Sequence, residues 1–506
     1  MKKITGIDLG TTYSAIATLD DLGNPEIMPN PESNNRITRS AVYIGKDKAI
    51  VGDKALEASI TEPKKVALKA KIEMENEVVF STKNGEWIEG KKGYTPSQVS
   101  SLILSKLKDY TSGVKKAVIT VPALFTEAAR VSTLDAAKVA GLDVELINEP
   151  TAAVLHYANL PGVKLSGRVL VFDLGGGTFD ITIANIKDKK VNVITSVGDK
   201  HLGGEDFDKE LIKIIDKKYK KAKGKSLNTE DRKLVQTAEK VKKILSAKDK
   251  VAEIVDGPNG PHKIEIKRED FEESIDTYIE KIKMLMEEAL ERAKCKPSNI
   301  TQSLLVGGST RIPLVVKTIT KIMKKAPVRG VNVDEAVALG AAIYAGLQNK
   351  TDLNSAQKKA MSKIELNDVC NFYMGTLMAA IDQEKKEWGI VNDIIIPRDT
   401  KLPCSKTKTY VTLADGQKQI DCSITQSEGE EKDKEFVTII SNEPMDLSKK
   451  TLKGDKINVT FSYDTNGKMH CVFEEERSKK KEEINLTPET SQSIKELKEN
   501  LDFEIE

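Results

Sequence analysis

The sequence predicts an α/β unit of two related lobes, followed by a mostly β unit. Three observations carry this. A short apolar strand runs into Asp-Leu-Gly at residues 8–10 and again at 173–175, and a third strand ends in Gly-Gly at 307–308. Residues 1–160 alternate strand-like and helix-like segments, and amphipathic helices follow to residue 347. Beyond residue 363 the apolar period becomes two, as in Ile420, Cys422, Ile424 and in Ile457, Val459, Phe461, Tyr463, the pattern of a half-buried antiparallel sheet.

The strand–turn stretches carry the chemistry. In residues 169–180, four apolar residues lead to Asp173, three glycines (Gly175, Gly176, Gly177), Thr178 and a second carboxylate, Asp180. Glycines let backbone N–H groups approach phosphate oxygens unobstructed. A carboxylate at a strand end holds Mg2+ through the ion's waters, because that ion dehydrates reluctantly. One such turn alone also admits the blander reading of an acidic glycine-rich hairpin. The copy at Asp8 and Gly10, with hydroxyls at Thr11 and Thr12, and the third at residues 304–313 point instead to two lobes closing on one nucleotide.

Taken in order, the next clear element is a helix at residue 95. Thr95 caps it, Pro96 takes the first helical position and Gln98 completes a capping box, with Val99, Leu102, Ile103 and Leu107 on one face. Residues 117–121 form a strand stopped by Pro122, and Glu149 sits at a turn in residues 147–153. A loop at 201–208 feeds a helix with Phe207, Leu211, Ile214, Ile215 and Tyr219 inward. Gly224-Lys225-Ser226 resembles the end of a P-loop, but Tyr219 holds the place of the required earlier glycine. Helices follow around 234–245 and 271–293. On the first, Glu239, Lys242, Lys243 and Ser246 read by default as a solvated face. A small-residue helix occupies 334–343. Residues 348–363 are polar and patternless and read as a linker. Residues 364–487 read as a β-sandwich, with a hairpin turn at 464–467. Thr487-Pro488-Glu489 starts a last helix, over 488–506.

Bulk properties bound the function. The 506 residues exceed one typical domain. Net charge is +2 with 31% charged residues, which argues against a nucleic-acid or membrane partner recruited by bulk charge. Five cysteines without a C-x-x-C pair fit reduced thiols in a cytoplasmic protein, and four histidines offer a zinc site little. No run approaches the ~18 apolar residues of a membrane span, and no signal-like leader follows Met1-Lys2-Lys3.

The motifs in this order resemble the seventy-kilodalton heat-shock (DnaK-type) chaperones. The matching stretches are residues 6–12, 119–122, 147–153, 173–180, 201–208, 306–313 and 334–342, with weaker matches at 367–370, 396–403 and 424–428. The resemblance implies an actin-like (ribonuclease H-like) two-lobed ATPase over 1–347, then a peptide-binding β-sandwich. It implies ATP or ADP with Mg2+ and K+ as ligands, Asp8 and Asp173 holding the hydrated Mg2+. Gly10, Thr11, Thr12, Tyr13, Gly175, Gly176, Gly177, Gly203 and Gly204 would surround the phosphates, with Thr178 near the γ-phosphate. Lys71, placed by its spacing from Pro63, would orient the attacking water, and Glu149 would bridge the site to the lobe hinge. Glu239, Lys242, Lys243, Ser246, Gly307, Gly308, Ser309, Arg311 and Asp334 would pack around adenosine. Pro122 and Arg130 would relay nucleotide state, and Tyr410, Ile420 and Cys422 would line the peptide groove.

The sequence also departs from the family. The stretch 362–369 is less apolar than the usual leucine-rich linker. Glu145 stands where the family has an arginine that receives J-domain cochaperones, so that partner would have to differ or dock differently. The loop after Gly375 is long, and the residues after Thr487 are too few for a full helical lid, so weak peptide holding with fast exchange is expected. The leading expectation is an ATP-dependent chaperone of extended client polypeptides, with a nucleotide exchange factor as a further implied partner. A nucleotide-gated adaptor for one dedicated partner is the alternative, followed by an actin-fold kinase or filament ATPase.

Overall fold

The computed structural model describes residues 3–160, 166–328, 331–381, 388–464, 467–486, 498, 501 and 503–506. Two sheets of like topology form the first unit. In one, Thr5–Asp8 runs parallel to Lys116–Val121 and antiparallel to Tyr13–Leu19. In the other, Gly167–Leu174 runs parallel to Ile300–Val306 and antiparallel to Phe179–Lys187. Asp8 and Asp173 therefore end equivalent central strands, so the repeated Asp-Leu-Gly marks a repeated structural unit. The strands are buried on both faces, which is why they read as continuous apolar runs rather than alternating ones.

Helices Glu149–Asn159 and Ala336–Gln348 cross between the sheets. Their approach is set by small residues. A Cβ on Gly340 would lie 1.7 Å from the Ala152 carbonyl oxygen, and one on Gly6 would lie 2.1 Å from the Ala342 nitrogen. The expected small-residue helix is thus the wedge that joins the lobes. The helix Pro96–Lys108 has the expected capping box: Gln98 N–H donates to Thr95 Oγ1 at 3.2 Å and Thr95 N–H to Gln98 Oε1 at 2.8 Å. Helix Gly204–Lys223 buries Phe207, Leu211, Ile215 and Tyr219 as expected, with Ile214 half-buried, and Arg232–Ala247 buries Leu234, Ala238, Val241 and Leu245. The expected helix around 271–293 is two, Arg268–Ser274 and Asp276–Arg292, broken at Ile275. Gly224 is the left-handed cap of the preceding helix, so it belongs to no P-loop.

The second unit is a sandwich of two four-stranded sheets. Trp388–Ile396, Tyr373–Ile381, Gln419–Ser427 and Thr438–Asp446 form one sheet. Cys404–Val411, Lys456–Tyr463, Met469–Glu475 and Lys481–Asn485 form the other. Met374, Ile396, Cys422, Ile424, Phe461 and Phe473 fill the space between them. The arms of the predicted hairpin, Lys456–Tyr463 and Met469–Glu475, pair antiparallel, and residues 465–466 of its turn lie outside the described residues.

Two expected segments differ. Residues 348–363 are not an irregular linker throughout. Asn354 and Gln357 form a capping box at the start of helix Ser355–Met361, and Leu353 and Met361 join the first unit's core. Two side-chain bonds to the Asp20 and Asp21 carbonyls pin the helix there, at 2.9 and 3.0 Å. The expected helix over 488–506 lies largely outside the described residues, and its end is corrected: Glu504–Ile505 is a strand paired with Lys48–Val51, because a free sheet edge is available there.

Candidate functional site

The two glycine turns face each other across the cleft between the lobes. A Cβ on Gly176 would lie 2.0 Å from Thr12 Oγ1, and one on Gly177 would lie 3.2 Å from Thr11 Cγ2. Each turn is closed locally. Gly10 N–H donates to Ser14 Oγ at 3.1 Å, Ser40 Oγ donates to the Gly10 carbonyl at 2.8 Å, and Gly175 N–H donates to the Thr178 carbonyl at 3.0 Å. Gly203 and Gly204 pack on the second turn, a Cβ on Gly203 meeting the Gly176 carbonyl oxygen at 2.4 Å. Ser309 Oγ donates to the Gly175 carbonyl at 2.9 Å. Thr12 Oγ1 is buried and without a hydrogen-bond partner, an uncommon state for a buried hydroxyl and one that a phosphate oxygen would relieve.

Below the turns lies a buried cluster of charge. Lys71 Nζ pairs with Glu149 Oε1, with the Phe125 ring 5.9 Å away. Asp8 accepts from Thr120 Oγ1 at 3.2 Å, and Asp180 accepts from the Ala123 N–H at 3.3 Å. Burial, then the Glu149 charge, pushes Asp8 up to about 7, against the pull of Lys71. Burial likewise raises Asp173 and brings Asp180 to about 7. Burial disfavours the charge on Lys71, but Glu149 and Asp8 outweigh it and its pKa is raised. Three buried carboxylates (Glu149, Asp173 and Asp180) and the half-buried Asp8 thus share one ammonium, an imbalance that is costly without a further cation. Among the described residues, no group of three or more His, Cys, Asp or Glu side chains is arranged to chelate an ion. An ion here would be held through water and phosphate oxygens, as suits Mg2+. The donor set fits a Mg2+–nucleotide.

The face of Arg232–Ala247 that read as solvated points partly into the cleft. Lys242 Nζ donates to the Gly204 carbonyl at 2.6 Å and to Asp208 at 2.7 Å. Glu239 takes both ends of the Arg39 guanidinium, at 2.7 and 3.0 Å, and also pairs with Lys243 at 2.7 Å. Arg39 lies 4.5 Å over the Tyr13 ring, and Lys243 Nζ reaches the Tyr13 hydroxyl at 2.8 Å. This ion pair spans the cleft and holds Glu239 down at about 2 despite burial. Ser246 instead bonds its own helix at the Lys242 carbonyl, at 3.1 Å. Gly307 has φ 80° and its Cβ would strike the Leu174 carbonyl. Gly308 follows it, and Arg311 pairs with Asp334 at the cleft's exposed rim.

The relay candidates Pro122 and Arg130 lie where the two units meet. Asn371 Nδ2 of the sandwich donates to the Ala123 carbonyl at 2.8 Å, while the Ala123 N–H donates to Asp180. Leu124 is buried in the sandwich core and Phe125 in the first lobe's core. Arg130 donates to Asn148 Oδ1 at 2.7 Å, and Asn148 and Thr151 both donate to Asp368 at 3.2 Å. Asn148 thus faces the sandwich while its neighbour Glu149 faces Lys71. Strand Glu365–Asn367 extends the second lobe's sheet beside Lys190–Asp199.

In the sandwich, Tyr410 donates to Asp393 at 2.7 Å and Ile420 is half-buried. Cys422 does not line an open groove. It is fully buried in the core, because its strand turns that side chain toward the facing sheet. Glu145 is half-buried, and burial raises its pKa against the pull of Lys468 in the sandwich. Sequence reasoning missed Arg39, Leu124, Asn148, Asp368 and Asn371. Asn148 and Asp368 lie inside the matched stretches 147–153 and 367–370 without having been singled out, and Arg39 stood out only as a basic residue among the polar residues after the second strand.

A comparison with protein-family models matches residues 4–502 to the family described as Hsp70 protein.

Proposed function

The chain belongs to the Hsp70 family, and on that premise we propose that it is an ATP-dependent chaperone whose hydrolysis state sets how tightly the sandwich holds an extended apolar peptide. The observation that carries this reading is the loop 122–125. It touches the charge cluster through Asp180 and the sandwich through Asn371 and Leu124. A change of charge in the cleft therefore has a short packed route to the peptide unit. The duplicated sheet topology supports the actin-like assignment and the division into an ATPase and a peptide unit.

In this reading the protein's own groups do most of the catalytic work by positioning. Thr11, Thr12 and the N–H groups of Gly175–Gly177 hold the phosphates, and Gly203 and Gly204 shape the turn beneath them. Asp8 and Asp173 would hold Mg2+ through its waters, and the ion would supply charge stabilisation at the phosphates when bound. Thr178 stands beside the γ-phosphate, and Lys71, fixed by Glu149, orients the attacking water. K+ is expected beside the same phosphates. Tyr13, Glu239, Lys242, Lys243, Gly307, Gly308, Ser309, Arg311 and Asp334 enclose the adenosine end, with Ser246 supporting from behind. Tyr410 and Ile420 face the peptide, Cys422 lying beneath them. Among the described residues no helix is long and apolar enough to cross a membrane.

The deciding experiment is the release rate of a fluorescent extended peptide, first with ADP and then with ATP, Mg2+ and K+. Faster release with ATP is expected. Binding without a nucleotide effect would favour the second reading, an adaptor with one dedicated partner. The half-buried Glu145, whose charge interacts with Lys468 and Asp464 of the sandwich, suits that reading. No peptide binding would refute the chaperone.

A further inference from the structure

The chain leaves the sandwich after strand Lys481–Asn485 and comes back to the first lobe at residue 501. There Glu504–Ile505 adds a parallel strand to the edge of the sheet formed by Lys48–Val51, Ala41–Ile44 and Val66–Leu68. The pairing is hydrogen-bonded along its length. Glu504 N–H donates to the Asp47 carbonyl at 3.2 Å, Glu506 N–H to the Ala49 carbonyl at 2.9 Å, and Val51 N–H to the Glu506 carbonyl at 2.8 Å. The side chains follow the strand period. Leu501, Phe503 and Ile505 pack on the lobe's core, with the Phe503 ring 5.9 Å from Tyr94, while Glu504 and Glu506 are exposed. The Lys48–Glu506 pair at 3.1 Å is about half exposed on both sides and adds little.

We propose that Leu501 and residues 503–506 are a built-in peptide ligand of the first lobe, a cis-acting strap that ties the far end of the sandwich to the nucleotide unit. The occupied surface is an edge that takes one extended strand with apolar residues at alternate positions, the usual mode of strand addition. Because the strap is on the same chain, it meets its site at an effective concentration of about millimolar, so a few backbone bonds and three apolar side chains keep it seated. Its placement links it to the cleft. The opposite edge strand of that sheet, Val66–Leu68, is followed three residues later by Lys71. The strap and the Glu365–Asp368 segment together join the two units at two separate places. This inference stands apart from the proposed ATP hydrolysis, since it concerns only which segment fills the edge.

The test compares the full chain with one ending at Asn500. Hydrogen exchange at the Val51 amide, whose acceptor is the Glu506 carbonyl, should rise by at least about tenfold in the shortened chain. A labelled peptide of residues 501–506 should bind the shortened chain and not the full one, and the same peptide with Phe503→Asp should bind neither. If the shortened chain fails to fold, Phe503→Asp in the full chain should still deprotect Val51, while the Val42 amide one strand inward stays protected. Unchanged Val51 exchange, or peptide binding equal in both chains, would overturn the proposal. So would Val51 protection that appears only as a dimer forms, because the strap would then come from a second copy.

Discussion

Replacing Lys71 by methionine removes the one ammonium among Asp8, Glu149, Asp173 and Asp180. Breaking a buried pair from one side costs about 3–5 kcal/mol, a large part of a domain's stability. The pH dependence follows from the raised carboxylates. Asp8 and Asp180 are carried from 3.8 in the unfolded chain to about 7 in the fold, so between those values the native state binds more protons than the unfolded state. Stability of the nucleotide-free protein therefore falls as pH rises through that window and levels off above about 7. Lys71 draws both values down. In Lys71→Met the window extends upward, and the loss is expected to be larger at pH 8 than at pH 5. Adding Glu149→Gln should recover most of it, since the second change removes a charge left unpaired. The assay is urea unfolding at pH 5 and pH 8 without nucleotide or Mg2+, following the first unfolding transition. A loss below about 1 kcal/mol at pH 8, the low end for a buried polar group left unpaired, or an equal loss at both pH values, would refute the reasoning.

Thr178→Ala should slow single-turnover hydrolysis by about 100-fold while fluorescent ADP still binds; lost binding would assign the residue a structural role. Gly176→Ala should weaken nucleotide binding by calorimetry, because its Cβ would sit 2.0 Å from Thr12 Oγ1 and hold the lobes apart. Asp368→Ala removes the acceptor of two hydrogen bonds to a charged group, about 1.5–3 kcal/mol each; peptide release should then lose most of its response to ATP. Burial pushes the Cys422 thiol up to about 12, so a thiol reagent at pH 8 should modify it only as the sandwich unfolds.

Local chemistry was legible in the sequence. Within each turn the aspartate, the glycines and the hydroxyls lie within a few residues of each other, around Asp8 in one and Asp173 in the other, and a strand–turn needs only neighbouring residues to form. The capping box at Thr95 and the hairpin arms on either side of residues 464–467 were readable for the same reason. Lys71 was not readable from its surroundings, since a lysine among lysines reads as surface. Its role is fixed by burial against Glu149, 78 positions away. Glu239 read as solvated until Arg39, 200 positions away, reached it across the cleft. The period-two pattern placed Cys422 on one face of a strand. Whether that face meets solvent or a second sheet was decided only when Phe461 and Phe473 packed nearby. The residues after Thr487 suggested a helix by their cap, but residues 504–505 pair with an open strand edge more than 450 positions earlier in the chain. The sequence by itself determined the phosphate-cradling turns and the two classes of unit, because those depend on short-range backbone preference and apolar period. Only the tertiary structure decided which charges are buried together, which loop joins the units and what fills the sheet edge, because each depends on groups far apart in sequence sharing one desolvated place.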